Sequence, residues 1–314
     1  MPDHGLVVDH VTKRYGARTV VDDLSFSVAP GRVTGFLGPN GSGKSTTMKI
    51  LLGLAAADGG TTLVGDRAYV DLDDPSAIVG AALETNAFHP GRSGRDHLRI
   101  LACAAGVAPR RIDESLVVAG LADAADRRAG TYSLGMRQRL GLAAALLCDP
   151  PVLVLDEPGN GLDPQGVREL RDLLRDRAAH GGTVFVSSHL LGEAEHLVDD
   201  VVVIDHGRLV TSGPLAELRH ETALVRSPDS NRLADALRRA GASVDLDDPD
   251  PDRDRDSLLV RGLPLDAVGH VAFEHGVEIS ELSTRSGSLE ELFMSWTSQG
   301  SRDGASAPRE KEDA

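Results

Sequence analysis

The chain has 314 residues, 41% of them hydrophobic, and a formal net charge of −15 at pH 7. This length allows one large domain or two ordinary ones, and the hydrophobic content is sufficient for a core. The negative charge argues against nonspecific binding to nucleic acid or to an anionic membrane surface. An aromatic content of 3% argues against stacking platforms for single-stranded nucleic acid.

The termini and cysteines indicate the compartment. The N-terminal residues, Met1–Gly5, lack the features of a signal peptide, and no apolar run approaches the length of a membrane-spanning helix. Cys103 and Cys148 both lie in apolar stretches with helical periodicity, which predicts buried thiols rather than a disulfide framework. We therefore expect a protein of a reducing compartment.

A glycine-rich segment lies between the third predicted strand and the first predicted helix. The strands are predicted at Leu6–Val8, Leu24–Val28 and Arg32–Leu37, and the helix at Ser45–Leu52. The segment between them has the phosphate-binding spacing G-x-x-x-x-G-K-[ST], and its residues are Gly38, Pro39, Asn40, Gly41, Ser42, Gly43, Lys44 and Ser45, with Thr46 after them.

The chemistry of this segment suits a nucleotide. Its glycines allow backbone N–H groups to approach phosphate oxygens, and the helix that follows adds the positive end of its dipole. Lys44 can reach the β- and γ-phosphates, and Ser45 can offer a hydroxyl to Mg²⁺. Tyr15, between the first two predicted strands, could stack on a flat base, with ordinary half-buried packing as the alternative.

The middle of the chain is predicted to be a helical insertion between strands of a sheet. Short strands and a turn at Pro75 are predicted within residues 62–83. The helices that follow are predicted at Asp96–Ala105, Asp113–Gly120 and Gly135–Leu147. Ser133 is predicted to cap the last of these helices and to leave N–H groups that could meet an anion.

Acidic residues follow a buried strand. Val152–Leu155 is predicted to be a parallel strand, so Asp156 emerges at its carboxyl end, where ligands bind in open α/β sheets. An acid there can hold Mg²⁺ against the β- and γ-phosphates, and Glu157 could polarise an attacking water. A strand that ends in solvated acids is the alternative, which the upstream phosphate-binding loop disfavours.

A histidine is predicted at the same sheet edge. Thr183–Ser188 is the next predicted strand, and His189 at its carboxyl end could sense a γ-phosphate, although a lone histidine is usually structural. The other elements of this part are predicted as a tight loop at Gly159–Pro164, a helix at Val167–Ala178, a helix at 190–198, strands at Val201–Ile204 and Gly207–Val210, and a helix at 214–221.

Residues 222–299 are predicted to form a separate α+β domain. Its strands and helices are predicted in the order Ala223–Arg226, Asn231–Ala240, Ser243–Leu246, Leu258–Val260, Leu265–His275 and Val277–Leu282. This βαββαβ order predicts a small ferredoxin-like sandwich. The acidic segment 247–256 is predicted to be a solvated hairpin tip rather than a Ca²⁺ loop, and residues 300–314 a disordered tail.

Taken together, these motifs resemble the ATP-binding cassette of ABC transporters over roughly residues 5–220. The matching positions are Tyr15 at the adenine-stacking aromatic, Gly38–Ser45 at the Walker A motif, Ser133–Gln138 at the signature, Val152–Asp156 at the Walker B motif, Glu157 at the catalytic glutamate, Asn160–Asp163 at the D-loop and His189 at the switch histidine. The resemblance implies an α/β P-loop ATPase fold with a mixed, mostly parallel sheet, an N-terminal antiparallel part and a helical subdomain at about residues 85–147.

The resemblance also implies roles. Catalysis is assigned to Lys44, Glu84, Glu157 and His189, and Mg²⁺ binding to Ser45, Glu84 and Asp156. ATP binding is assigned to Tyr15, Gly38, Pro39, Asn40, Gly41, Ser42, Gly43, Lys44, Ser45, Thr46, Ser133, Gly135 and Asp163. In such a cassette the Ser133 segment of a second copy closes the nucleotide site, so a homodimer is expected.

Two departures from the family pattern indicate a branch. The signature is Tyr132–Met136, with Leu134 where the family has a glycine, and Glu84 stands where the family has the Q-loop glutamine. With the ferredoxin-like domain, these features resemble prokaryotic cassettes of antibiotic and lantibiotic export or self-immunity. We expect Glu84 to face the metal or its water rather than the γ-phosphate, and contact with the membrane partner is the alternative.

The resemblance implies separate permease subunits docked near Glu84 and the helical insertion, and a cytoplasmic protein peripheral to the inner face of the membrane. Other classes compete. Ribosome-associated cassettes carry two copies in one chain, and DNA-repair cassettes carry coiled-coil or zinc insertions, whereas this chain has one cassette and neither insertion. A nucleotide-gated sensor or regulator of a membrane partner stays open.

Overall fold

The structure is a computed structural model that describes residues 4–83, 88–189, 191–218, 221–246, 257–286, 289–290 and 292–294. Two compact units are distinguished, one within Met1–Leu215 and the other within Ala216–Ser295. The domain limits of 1–221, 222–299 and 300–314 stay predictions. None of the described helices is both long and apolar enough to cross a membrane.

The first unit alternates strands and helices. Its strands are β1 Leu6–Tyr15, β2 Arg18–Val28, β3 Val33–Leu37, β4 Gly59–Val64, β5 Val79–Ala82, β6 Val152–Leu155, β7 Thr183–Ser188, β8 Asp200–Asp205 and β9 Arg208–Pro214. Its helices are α1 Lys44–Leu51, α2 Pro75–Ile78, α3 Gly94–Ala104, α4 Arg110–Val118, α5 Leu134–Ala145, α6 Pro164–Ala179 and α7 Leu191–Glu195, and the short helix α8 Leu215–Leu218 spans the boundary between the two units.

Two sheets organise this unit. The larger has the strand order β5-β6-β7-β3-β8-β9, and it is parallel except for β9, which runs antiparallel to β8. The smaller is antiparallel, with the order β2-β1-β4. Between β5 and β6 the chain forms α3, α4 and α5, which share a core that includes Leu98, Leu116 and Leu140. The predicted fold class, with its mixed sheet, antiparallel part and helical insertion, is confirmed.

Aromatic packing fixes the central strand. The five residues of β3 are all buried, as expected for a parallel strand covered on both faces. The Phe36 ring lies with its centroid 5.3 Å from that of Phe26 on β2 and 5.1 Å from that of Phe185 on β7. Replacing a buried phenylalanine by alanine costs about 3–5 kcal/mol, so this cluster holds the strand that carries the phosphate-binding loop.

The second unit has the ferredoxin-like topology that the element order predicts. Its elements are β10 Glu221–Arg226, α9 Ser230–Arg239, β11 Ser243–Leu246, β12 Ser257–Arg261, α10 Leu265–Glu274 and β13 Glu281–Ser286. The sheet order is β11-β12-β10-β13 with every pair antiparallel. Leu233 and Leu237, one turn apart on α9, pack with Val260 and Val268 in its core.

Several predicted boundaries were wrong. β1 extends to Tyr15, so this residue ends a strand rather than lying between strands. Pro75 begins a one-turn helix because Asp74 caps it by accepting from the Ala77 N–H at 3.2 Å. The last strand begins at Glu281 rather than Val277, whose N–H closes the end of α10 on the Ala272 carbonyl.

The predicted burial of both thiols was also wrong. Cys103 is exposed and Cys148 is partly buried. The reason is helical geometry, since Leu98 and Ala102 face the core of the insertion and the next residue along α3 points outward. The predictions for Glu84, for the acidic segment 247–256 and for the tail 300–314 lie outside the described residues.

Candidate functional site

The phosphate-binding loop joins β3 to α1 at the carboxyl edge of the large sheet. Two of its glycines are required by sterics. A Cβ at Gly43 would lie 2.8 Å from the Val20 carbonyl oxygen, and the backbone there has φ +108°. A Cβ at Gly38 would lie 2.3 Å from the Ile204 carbonyl oxygen. The loop is therefore pressed against neighbouring backbone, and only glycine fits at these two positions.

Lys44, the first residue of α1, is almost completely buried, with 5% of its surface exposed. Its Nζ donates to the carbonyl oxygens of Gly38 at 2.7 Å and Pro39 at 3.0 Å, so the side chain folds back over the loop. Burial lowers the pKa of this amine, and the nearby carboxylates of Glu157 and Asp156 oppose that shift. The amine thus lies where it could exchange carbonyl oxygens for phosphate oxygens.

A cavity of about 230 Å³ opens over this loop. Its described lining consists of Arg18, Val20, Asn40, Gly41, Gly43, Lys44, Ser45, Thr46 and Glu157. Ser45 is exposed to it, and the buried Ser42 Oγ has no hydrogen-bond partner among the described residues. A lysine amine, an exposed serine hydroxyl and glycine backbone in one cavity are what an anionic ligand needs.

The acidic strand end adjoins the same cavity. Asp156 follows β6, and its Oδ1 accepts a short hydrogen bond from the Ser187 hydroxyl on the neighbouring strand β7. The same Ser187 Oγ accepts from the Glu157 N–H at 2.9 Å. Ser187 therefore orients both acidic residues, although the sequence prediction did not include it.

Glu157 has three contacts: Ser187 at its N–H, Gln138 at its carbonyl and His189 at its carboxylate. Its backbone has φ +49°, an uncommon conformation for a residue other than glycine, and its carbonyl accepts from the Gln138 side-chain amide at 2.8 Å. Its Oε1 lies 2.9 Å from Nδ1 of His189. This distance pairs the Glu157 carboxylate with the imidazole ring of His189.

The structure brings together some of the predicted residues and not others. Lys44, Ser45, Asp156, Glu157 and His189 meet at the carboxyl edge of the sheet. The lining of the cavity, as far as the structure describes it, does not include Tyr15, Ser133, Gly135 or Asp163. Glu84 lies outside the described residues.

The residues outside the cavity have local structural contacts. Tyr15 is 54% exposed at the end of β1, with Lys13 Nζ 5.2 Å from its ring centroid. Ser133 caps α5 by accepting from the Met136 N–H at 3.2 Å. Asp163 caps α6 in the same way, accepting from the Gly166 N–H at 2.8 Å. These contacts leave their predicted roles toward a nucleotide as predictions.

Three residues of the site were missed from the sequence: Arg18, Gln138 and Ser187. A signal existed for one of them. β6 and β7 are parallel neighbours with Leu155 opposite Val186, so the next residues, Asp156 and Ser187, meet at the sheet edge. Arg18 follows a turn of two residues after Tyr15 and belongs to no motif. Gln138 is the last residue of the predicted signature, but its contact with Glu157 joins two separate elements and was not predicted.

Comparison with known proteins identifies the family. Residues 21–160 match the family described as ABC transporter, and residues 221–290 match a domain of unknown function. The chain is 44% identical to the uncharacterized ABC transporter ATP-binding protein YhcH of Bacillus subtilis (strain 168), over 65% of this chain and 68% of that protein. It is 39% identical to the bacitracin transport ATP-binding protein BcrA of Enterococcus faecalis, over 69% of this chain and 71% of that protein.

A solved structure described as the ATP binding subunit of an ABC transporter agrees. It is 26% identical with a TM-score of 0.62, over 86% of this chain and 99% of its own. The phosphate-binding loop, the acidic strand end and these relatives confirm the resemblance drawn from the sequence motifs. The chain therefore belongs to the family of ATP-binding, ATP-hydrolysing subunits of ABC transporters.

Proposed function

We propose that this subunit energises the export of a peptide antibiotic or another amphiphile through separate membrane subunits. The substrate class is supported by the similarity to BcrA, whose name assigns it to bacitracin transport. The main support for a nucleotide site is that Lys44, Ser45 and Glu157 line the same cavity. We place the protein on the cytoplasmic face of the membrane, held there by its permease subunits.

In this proposal the loop and Lys44 hold the β- and γ-phosphates of ATP. The Lys44 amine leaves the Gly38 and Pro39 carbonyls and donates to phosphate oxygens instead. Ser42, whose buried hydroxyl has no partner among the described residues, donates to the same phosphates. Charge-assisted hydrogen bonds of this kind are stronger than those to neutral carbonyls, so the exchange favours binding.

The donor set beside the phosphates fits Mg²⁺. Ser45 offers a hydroxyl and Asp156 a carboxylate oriented by Ser187, and hard oxygen donors are what this ion prefers. No group of three or more histidine, cysteine or acidic side chains forms a metal cluster within the described residues. That agrees with an ion held by few protein ligands, phosphates and water. When bound, the ion neutralises negative charge on the β- and γ-phosphates, and Glu84 stays a proposed further ligand.

Glu157 is the proposed general base. It lines the cavity and could accept a proton from a water that attacks the γ-phosphate. Nδ1 of His189 lies 2.9 Å from this carboxylate, and the other ring nitrogen, Nε2, is the proposed contact with the γ-phosphate. In this proposal Glu157 accepts the proton and His189 senses the γ-phosphate.

A second cassette is proposed to complete the site. Ser133 is exposed and lies outside the described lining of the cavity of its own chain, as does Gly135. In a homodimer, the Ser133 and Gly135 of one copy would contact the nucleotide held by the other. Tyr15, exposed at the end of β1, is the proposed platform for adenine, and Asp163 the proposed D-loop contact.

Glu157→Gln tests the nucleotide part. The substitution preserves size but removes the base, and loss of a general base typically lowers turnover by about 10²–10⁴-fold. We expect the purified variant to bind fluorescent ATP like the wild-type protein and to accumulate as an ATP-dependent dimer in light scattering. Turnover at the wild-type rate would refute the assignment of Glu157.

Export is tested in cells. Deleting the gene should lower the concentration of bacitracin that stops growth, and the wild-type gene should restore it, whereas Glu157→Gln should not. A small panel of other amphiphiles, tested in the same strains, would define the substrate class. Unchanged sensitivity to bacitracin and to every other compound of the panel would contradict the export proposal and leave the ATPase assignment intact.

A further inference from the structure

Leu134 fills the space beside Gly161. It is the first residue of α5 and is 48% exposed. A Cβ built on Gly161 would lie 2.5 Å from Leu134 Cδ2 and 2.6 Å from Cγ. Carbon atoms in favourable contact are about 3.5–4.0 Å apart, so a side chain at position 161 and the present position of Leu134 exclude each other.

Two further contacts attach the same helix to the segment 157–163, which we name the post-strand loop. A Cβ on Gly135 would lie 2.7 Å from the Gly161 carbonyl oxygen, so the two backbones are in close approach. Gln138, four residues after Leu134 and hence on the same side of α5, donates to the Glu157 carbonyl at 2.8 Å. The helix thus contacts the beginning and the middle of the post-strand loop.

Part of the surface of this loop borders empty space. A cavity of about 210 Å³ lies there, with Glu157, Gly159 and Asn160 in its lining. The left-handed backbone of Glu157, at φ +49°, is costly for an L-residue, so neighbouring contacts must maintain it. Gln138 on α5 holds the carbonyl of Glu157, as Ser187 holds its N–H, so a shift of α5 relative to the loop would move Glu157.

We infer that Leu134 and Gly161 form a matched pair of positioning residues, in which Leu134 sets the distance between α5 and the post-strand loop and so the place of the Glu157 carboxylate. The inference rests on the proposed role of Glu157 as general base. It predicts a steric effect on turnover that leaves the phosphate-binding loop, and hence ATP affinity, unchanged.

Gly161→Ala tests the pair in the purified full-length protein. The new methyl group must displace the loop or Leu134 by about 1 Å to reach an ordinary contact distance. A misplacement of about 1 Å can lower turnover by up to about 10²-fold, so we expect kcat to fall by about 10- to 100-fold. KM and the Kd for fluorescent ATP should stay at wild-type values.

Two variants serve as controls. Gly106→Ala places the same methyl group on a left-handed backbone, φ +64° against +77° at Gly161, but with nothing within 4 Å of it, and should keep the wild-type kcat. The double variant Leu134→Ala, Gly161→Ala removes the Leu134 Cγ and Cδ atoms and leaves a contact of 3.2 Å to Cβ. It should recover most of the lost kcat, which a simple folding defect would not do.

The outcomes are distinguishable. A wild-type kcat in Gly161→Ala, or a double variant as slow as that single variant, would overturn the inference. If Gly161→Ala does not fold, Leu134→Ala decides instead, since the inference requires a lowered kcat at unchanged KM and an unchanged kcat would reject it. Glu157→Gln, assayed in parallel, distinguishes failure of this inference from failure of the proposed function. Turnover at the wild-type rate in that variant would refute Glu157 as the general base, on which the positioning role of Leu134 and Gly161 rests.

Discussion

Two helices of the nucleotide-binding unit begin in opposite ways. α1 follows Gly43, and no side chain of the described residues caps it, whereas α5 follows Ser133, whose hydroxyl accepts from the Met136 N–H. The first residue of α1, Lys44, is 5% exposed, and the first residue of α5, Leu134, is 48% exposed. The start of α1 is therefore buried and uncapped, whereas the start of α5 is capped and partly exposed.

The difference shows how tertiary packing selects between two uses of a helix start. A backbone N–H group without a cap is costly unless a ligand or water satisfies it, so the start of α1 suits an anion. Gly43 is pressed against the Val20 carbonyl of β2, which leaves no room for a capping side chain. At α5 the cap is present, and Gly135 and Leu134 pack against Gly161.

Lys44→Ala should remove the phosphate contact at the start of α1, and we expect the largest effect from it, a loss of ATP affinity. Removing the amine removes at least one hydrogen bond to a charged group and leaves phosphate charge unmet in a buried loop. With a loss of about 3 kcal/mol, the Kd for ATP should rise by about 100-fold. Titration with fluorescent ATP measures it, and Lys49→Ala, in the last turn of the same helix, is the control. Equal affinities for ATP in the two variants would contradict the binding of phosphate by Lys44 at the start of α1.

Ser133→Ala should affect the α5 side less. Loss of an N-cap costs about 1 kcal/mol, which in a unit of this size corresponds to a fall in Tm of about 2–4 °C. ATP affinity of the monomer should stay unchanged, because Ser133 lies outside the described lining of its own cavity. Ser133→Asp retains a capping acceptor and should keep the wild-type Tm. If the Ser133→Ala monomer lost ATP affinity, the start of α5 would contribute to the nucleotide site of its own chain, and the contrast with α1 would fail.

His97 on α3 should give the smallest effect. Burial, and secondarily the charge of Arg92, lower the pKa of this histidine below its ordinary value of 6.5. The unfolded chain therefore binds the proton more readily than the folded one, and stability should fall as pH drops below about 6.5 toward the lowered pKa.

The change in Tm between pH 7.5 and 5.5 measures this linkage. In His97→Gln the acid-induced loss of Tm should be smaller than in the wild-type protein. His206→Asn, at an exposed left-handed position on a turn, is the control and should behave like the wild-type protein. An equal loss in His97→Gln would show that other groups govern the acid sensitivity of the insertion.

Local patterns were sufficient for the part of the site formed by short segments. The spacing of glycines around Lys44 requires a tight turn between a strand and a helix, whatever surrounds it. The apolar run before Asp156 is typical of a buried parallel strand, and that alone places the acid at the carboxyl edge. The βαββαβ order of the second unit predicted its topology, because few chain paths connect those elements.

Element ends were less predictable. β1 continues to Tyr15 through polar residues such as Asp9 and Lys13, because neighbouring strands pair with it there, β4 at Asp9 and β2 at Lys13. The alternation of apolar residues does not reveal such a continuation, since a pairing strand decides it. Cys103 was misplaced for a related reason, because one residue of shift on a helix turns a side chain by about 100°.

The sequence by itself determined the nucleotide chemistry of this protein: a phosphate-binding loop, an acidic strand end and the order of its elements. Only the tertiary structure decided which residues hold Glu157. Ser187 is 30 residues from it and Gln138 is 19 residues from it, and both meet it through packing of separate elements. The fit of Leu134 beside Gly161 likewise depends on the close approach of α5 to the post-strand loop, which no spacing of residue types encodes.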